Sequence, residues 1–176
     1  MGETVVDIND FPAELKWKLA AKSASTLSLA QEKAYKAILG HEYRKIQPLT
    51  DTISYLMWIN GGKDASILSN YLGLPTKTAK EVDKAQRLVS VILYGPEIQY
   101  KTVAASKDNT KTQIINCPFL NRAKEIGLES KNLFENCKAY NKTFIDNLNP
   151  KYRKRFTKGM CIGDECCETY TELRNE

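Results

Sequence analysis

The spacing of apolar residues changes period at Gly95-Pro96, and this switch constrains the fold more than any other feature of the chain. Before it, the sequence reads as helix. Residues 12–46 are rich in Ala, Leu, Lys and Glu, with no glycine until Gly40, which predicts one long helix or two collinear ones. Pro48 is expected to close it. Thr50 or Asp51 would then cap a short apolar helix over 53–59 that ends at Asn60-Gly61-Gly62. A further helix over 65–72 stops at Gly73. Thr76 is the expected cap of an amphipathic helix whose stripe, Ala79, Val82, Ala85, Val89 and Ile92, advances in steps of three and four. Such a stripe must face a core.

After Gly95-Pro96 the pattern is short and alternating: residues 98–105, a turn at Asp108-Asn109, then 110–117, which together predict a β-hairpin. Helices follow over 120–126 and 130–148, the second carrying the stripe Leu133, Cys137, Tyr140, Phe144 and Leu148. Beyond Asn149-Pro150 a basic run reads as a turn or short helix, and 167–173 as a closing strand able to pair with the hairpin. The expected fold class is α+β. A helical N-terminal half, 1–94, packs with a small antiparallel sheet made of the hairpin and the C-terminal strand, and with C-terminal helices, in a half spanning 95–176. A length of 176 residues suits a single domain over 1–176.

Charge and composition narrow the function. Twenty-six Lys+Arg against 21 Asp+Glu give a net charge of +5, which mildly favours anions. The densest basic run, Lys151, Arg153, Lys154, Arg155 and Lys158, is followed by Asp164, Glu165, Glu168, Glu172 and Glu176, so the two runs are expected to neutralise each other. With no recognised nucleic-acid motif, nucleic acid is not an expected partner. No apolar stretch approaches the roughly 20 residues that span a bilayer. The first ten residues carry three acidic side chains, unlike a signal peptide, and Val6 stands where N-myristoylation requires Ser or Thr. The expectation is a soluble, cytoplasmic protein without a membrane partner, in which the sequon Asn141-Lys142-Thr143 carries no glycan.

Standard catalytic signatures are missing: no phosphate-cradling Gly-rich loop, no Gly-x-Ser-x-Gly elbow, no dinucleotide fingerprint. His41 is the single histidine. It sits at a helix end, Gly40-His41-Glu42, as an exposed or capping residue or else as a general base or ligand. The five cysteines, Cys117, Cys137, Cys161, Cys166 and Cys167, all lie in the last third of the chain. An odd number without a secretion signal points to reduced thiols: core filler, nucleophile, or ligands to zinc or an iron–sulfur cluster. The spacing Cys161-x4-Cys166-Cys167 is not a finger or ribbon pattern. Adjacent strand residues point to opposite faces, so only one of Cys166 and Cys167 can share a site with Cys117. Cys137, on an apolar stripe, points inward as a small hydrophobe or as a site member. Two carboxylates stand out as proton-transfer candidates. Glu97, at the junction of helix and sheet, is otherwise a strand-edge charge in water. Asp164, after Gly163, is otherwise a turn former.

Taken in order, Leu93-Tyr94-Gly95-Pro96-Glu97, Asn116-Cys117-Pro118-Phe119, Cys137, Asn149-Pro150 and Gly163-Asp164-Glu165-Cys166-Cys167 resemble the aminothiazoline-carboxylate hydrolase-like family over roughly 59–173. The closing Gly163, Asp164 and Cys167 are also similar to the end of 4-vinyl-reductase-like domains, α+β folds that bind small ligands or zinc. The resemblance implies water-driven opening of a thiazoline ring, and it carries Glu97, Cys117, Cys137, Asp164 and Cys167 over as a pocket or ligand set. Cys161 and Cys166 are additional to that pattern.

Three expectations follow. The first is a hydrolase-like enzyme acting on a small sulfur- or nitrogen-containing heterocycle. Its catalytic residues are Cys117, Glu97 and Asp164: Cys117 or a bound metal is the reactive centre, Glu97 moves protons and Asp164 orients a ligand. The second is a non-catalytic protein that senses a ligand or serves a redox partner, with zinc or an iron–sulfur cluster on Cys117, Cys137, Cys161 and Cys167. The third is an interaction subunit whose helical half docks on a second copy of the chain or on a larger enzyme.

Overall fold

The computed structural model describes residues 11–129 and 132–174. The fold is the expected α+β. Helix α1 (Ala13–Leu39) leads through a 3-10 turn at Gly40–Glu42 into α2 (Tyr43–Tyr71), and α3 (Ala79–Tyr94) completes the helical half. Then come β1 (Gln99–Ala105), β2 (Asn109–Asn116), α4 (Pro118–Glu125), α5 (Leu133–Leu148), β3 (Tyr152–Lys158), a 3-10 turn at Met160–Ile162, and β4 (Cys167–Leu173). The start expected at Ser130 for α5 lies outside the described residues.

Two expected helix boundaries are overturned. Pro48 does not end a helix but is the sixth residue of α2, near enough to the start that its missing N–H costs only one early rung of the ladder. The break falls earlier, at Gly40, whose φ of 52° lies where side-chain-bearing residues are strained. Likewise Asn60-Gly61-Gly62 ends nothing. It lies inside α2, which absorbs both short helices expected at 53–59 and 65–72. A Cβ on Gly62 would sit 2.6 Å from the Tyr140 carbonyl oxygen, so this glycine lets α2 and α5 cross backbone to backbone. Gly73, with φ of 62°, does terminate the helix region as expected.

The cap of α3 is Thr78 rather than Thr76. Its hydroxyl accepts from the Glu81 N–H at 3.2 Å while the Glu81 carboxylate accepts from the Thr78 N–H at 3.0 Å, a reciprocal capping box. Ala79, Val82, Ala85 and Val89 of the expected stripe are buried, whereas Ile92 is 39% exposed.

The basic run is neither turn nor helix. It is β3, and the sheet has four antiparallel strands in the order β1-β2-β4-β3, with β4 central beside β2 and β3. Alternation along β3 explains this. Tyr152 and Lys154 turn inward, while Arg153 and Arg155 face out and both pair with Glu172 of β4, at 3.0 and 3.2 Å. Part of the basic run is thus neutralised by the acidic one. The inner face of the sheet, including Thr110, Thr112, Ile114, Cys167, Thr169 and Thr171, is buried. Helices α3 and α5 pack on the sheet, and α2 packs on α5.

The main core joins both halves: Ala65 of α2, Val82 and Val89 of α3, Tyr140, Phe144 and Ile145 of α5, and Tyr152 of β3. Each large apolar side chain fully buried there contributes about 1.5–3 kcal/mol. A smaller cluster, Leu29, Ala123 and Leu128, ties α1 to the segment around α4. Among the described residues, no helix is long and apolar enough to cross a membrane.

Candidate functional site: an aromatic and thiol-lined cavity

A cavity of about 50 Å³ lies between the helical half and the inner face of the sheet. Its walls come from α2 (Trp58), α3 (Gln86, Arg87, Ser90, Tyr94), the sheet and its flanks (Tyr100, Ile114, Cys117), Phe119 of α4, and α5 (Cys137, Tyr140, Asn141). Lys154, Cys161 and Cys167 close it from the C-terminal side. Four aromatic rings form a closed circuit. Trp58 meets Phe119 at 4.7 Å between centroids, Phe119 meets Tyr94 at 4.8 Å, Tyr94 meets Tyr140 at 5.8 Å, and Tyr140 returns to Trp58 at 6.1 Å. All four contacts are tilted or edge-on, the geometry that ring quadrupoles favour.

Four of the five cysteines, Cys117, Cys137, Cys161 and Cys167, line this one cavity. The adjacent residues at the start of β4 do part as expected: Cys167, its first residue, is buried on the inner face, while Cys166, just before it, lines a surface depression with Asp164. All four cavity thiols are held protonated chiefly by burial. Cys161 is pushed up to about 12 and Cys167 to about 11, Cys137 goes well above the ordinary thiol value, and Cys117 rises despite the backbone N–H groups of Leu120 and Phe119 beside it. A charge on any of several of them would further oppose ionisation of the others. These are neutral, weakly polar groups rather than thiolates, and poor nucleophiles in this arrangement. Among the described residues, no three His, Cys, Asp or Glu side chains group closely enough to hold a metal ion.

The carboxylates singled out from the sequence lie off the cavity. Glu97 is partly exposed and pairs with Arg122 at 2.9 Å, while its backbone carbonyl accepts from Asn116 Nδ2 at 2.8 Å, so it pins the helix-to-sheet junction. Asp164 accepts from the Gly159 N–H at 2.7 Å and shapes the turn before β4. The His41 side chain is exposed beside Glu42.

Sequence reasoning missed the polar end of the cavity. Asp83, fully buried on α3, meets Lys154 Nζ at 3.1 Å and Arg87 Nε at 2.9 Å, and accepts from Thr112 at 2.9 Å and Thr171 at 3.2 Å. Burial by itself would raise its pKa, but Lys154, Arg87 and the Thr112 hydroxyl outweigh that and hold the carboxyl below its ordinary value. Lys154 donates also to Gln86 Oε1 at 2.5 Å, Gln86 donates to Asn141 Oδ1 at 2.6 Å, and Asn141 donates to the Cys137 carbonyl at 2.6 Å. The Tyr140 hydroxyl is buried near those of Ser90 and Tyr94 without completing a hydrogen bond of good geometry. A buried hydroxyl left in that state costs about 1–3 kcal/mol. The signal was present in the chain: Asp83, Gln86 and Ser90 follow the apolar stripe at helical spacing, and Lys154 alternates with Tyr152 and Phe156.

No family model matches the chain, and no curated protein is similar to it in sequence. Among solved structures, the phenol-responsive sensory domain of the transcription activator PoxR, crystallised with phenol, is similar over 83% of this chain and 74% of that one. The TM-score is 0.51 and the identity 9%, so the likeness is one of fold.

Proposed function

We propose that this chain is a small-molecule-binding domain that takes a ligand with a single ring into the cavity between its two halves, as a ligand-sensing module. The observation that carries the reading is the closed circuit of Trp58, Phe119, Tyr94 and Tyr140 around a mostly apolar space with one polar end, the composition expected of a small-ligand site. The fold likeness to a domain described as phenol-responsive supports it. The cavity volume of about 50 Å³ exceeds what one water needs but falls well short of the roughly 150 Å³ that houses a benzene. Lining side chains must therefore move to admit a ring. A ligand that binds only the opened arrangement shifts the protein toward it, which is the thermodynamic basis of a sensor.

Thermal unfolding with phenol, toluene, benzoate and benzamide tests this. At a hundredfold excess over Kd a bound ring raises stability by about 2.7 kcal/mol. Cys161→Phe, filling the cavity from its rim, should abolish the shift and leave the fold intact. If no ring compound at millimolar concentration moves the transition, the reading falls.

A second reading keeps the thiols in the chemistry, because Cys117, Cys137, Cys161 and Cys167 share one cavity. It would have them hold zinc or an iron–sulfur cluster, or have Cys117 open a heterocycle as the hydrolase-like resemblance implies. Their separation, among the described residues, weighs against a metal or cluster, and burial of the Cys117 thiol weighs against its acting as a nucleophile. Anaerobic purification followed by zinc, iron and sulfide analysis, with an assay for thiazoline opening, decides: stoichiometric metal or turnover favours this reading over the first.

A further inference from the structure

The cavity carries an imbalance of charge that names the class of ligand. Among the described residues that line it, the two that bear charge, Arg87 and Lys154, are both cations, and none is a carboxylate. Asp83 lies behind them and is one anion shared by two cations, Lys154 at 3.1 Å and Arg87 at 2.9 Å. The group of three carries a net charge of +1 at the polar end of an otherwise neutral pocket, with Arg87 reaching partly to solvent and Lys154 held inside. Lys154 is almost wholly buried, so bulk water does not compensate it. Its ammonium has three donors, of which Asp83 and Gln86 use two. The Tyr140 hydroxyl lies on the wall of the same cavity, beside those of Ser90 and Tyr94.

We infer that the ligand is a monocyclic acid, whose ring takes the aromatic circuit and whose carboxylate takes the Lys154 end. This rests on the small-molecule reading above and deepens it. A carboxylate fits because it is acceptor-only, with about four lone-pair sites over two oxygens, and can take the third ammonium hydrogen of Lys154. A neutral phenol brings one oxygen and no charge, and leaves the cationic excess in place.

Calorimetric titration of the wild-type chain with benzoate, benzamide and phenol at pH 7.5 separates the cases. Benzoate is expected to bind at least about tenfold more tightly than either neutral ring, a ratio typical of one charge-assisted hydrogen bond. Lys154→Met should erase that preference and change benzamide binding by less than threefold. Asp83 remains paired with Arg87 in the variant, so no lone buried charge is created. Equal or tighter binding of benzamide or phenol by the wild type overturns the acid assignment while leaving the small-molecule reading in place. Failure of all three rings to bind overturns both. The wild-type comparison decides even if the variant does not fold.

Discussion

Asp83, 0% exposed in its side chain, shows how a single residue organises the polar end of this protein. Its four partners come from three different elements besides its own: Lys154 from β3, Thr112 from β2 and Thr171 from β4, with Arg87 one turn along α3. Removing one member of such a buried pair typically costs about 3–5 kcal/mol. The cysteines lead to a prediction about pH. In the unfolded chain a thiol ionises near its ordinary value, whereas the fold holds Cys161 protonated to about 12 and Cys167 to about 11. Their contribution is therefore fully present below the ordinary thiol value and is lost as pH rises toward the folded values. Urea midpoints should fall between pH 8.5 and 10.5, and Cys167→Ala should flatten that fall. Iodoacetamide labelling of Cys167 at pH 8 should run about two orders of magnitude slower than that of free cysteine. At this scale the sequence revealed that the cysteines converge and that one of the adjacent pair is turned away. It did not reveal that burial would silence them, because desolvation belongs to the surroundings and not to the residue.

Elements were legible in kind and less so in extent. The stripe of α3, the hairpin and the closing strand lie within a few residues of their expected positions, since each is set by local periodicity. Helix α2 was not. Pro48 and Gly61-Gly62 read locally as breaks, yet tertiary packing on α5 overrides them. A paired substitution tests this account. Gly62→Ala places a methyl 2.6 Å from the Tyr140 carbonyl and 3.1 Å from the Phe144 nitrogen, both backbone, and should cost about 3 kcal/mol or more in chemical denaturation. Gly61→Ala meets only the Tyr140 ring at 3.8 Å and should be neutral or stabilising by up to about 1 kcal/mol. Equal effects at both positions would refute a close helix crossing. Strand β3 was missed because its basic outer residues mask the alternation of Tyr152, Lys154 and Phe156.

For the whole molecule, the decisive fact is that neither half closes the cavity or the core alone. Phe144 and Tyr140 of the C-terminal half are buried with Ala65, Val82 and Val89 of the helical half. A fragment spanning 95–176 should therefore fail to fold by itself, showing collapsed amide dispersion in NMR and no cooperative transition. A folded fragment would mean that the halves are separable. What the sequence by itself determined is the α+β class, the switch from helical to alternating period at Gly95-Pro96, the inward direction of Cys137 and the parting of Cys166 from Cys167. These follow from side-chain spacing along one backbone. Only the tertiary structure decided that four aromatic rings from four helices close a circuit and that Asp83 and Lys154, 71 residues apart, meet in the core. Only it placed the Glu97 carboxylate against Arg122 and the Asp164 carboxylate on the Gly159 N–H, both off the cavity wall. Such juxtapositions arise from packing two amphipathic halves face to face, a contact that no periodicity within either half encodes.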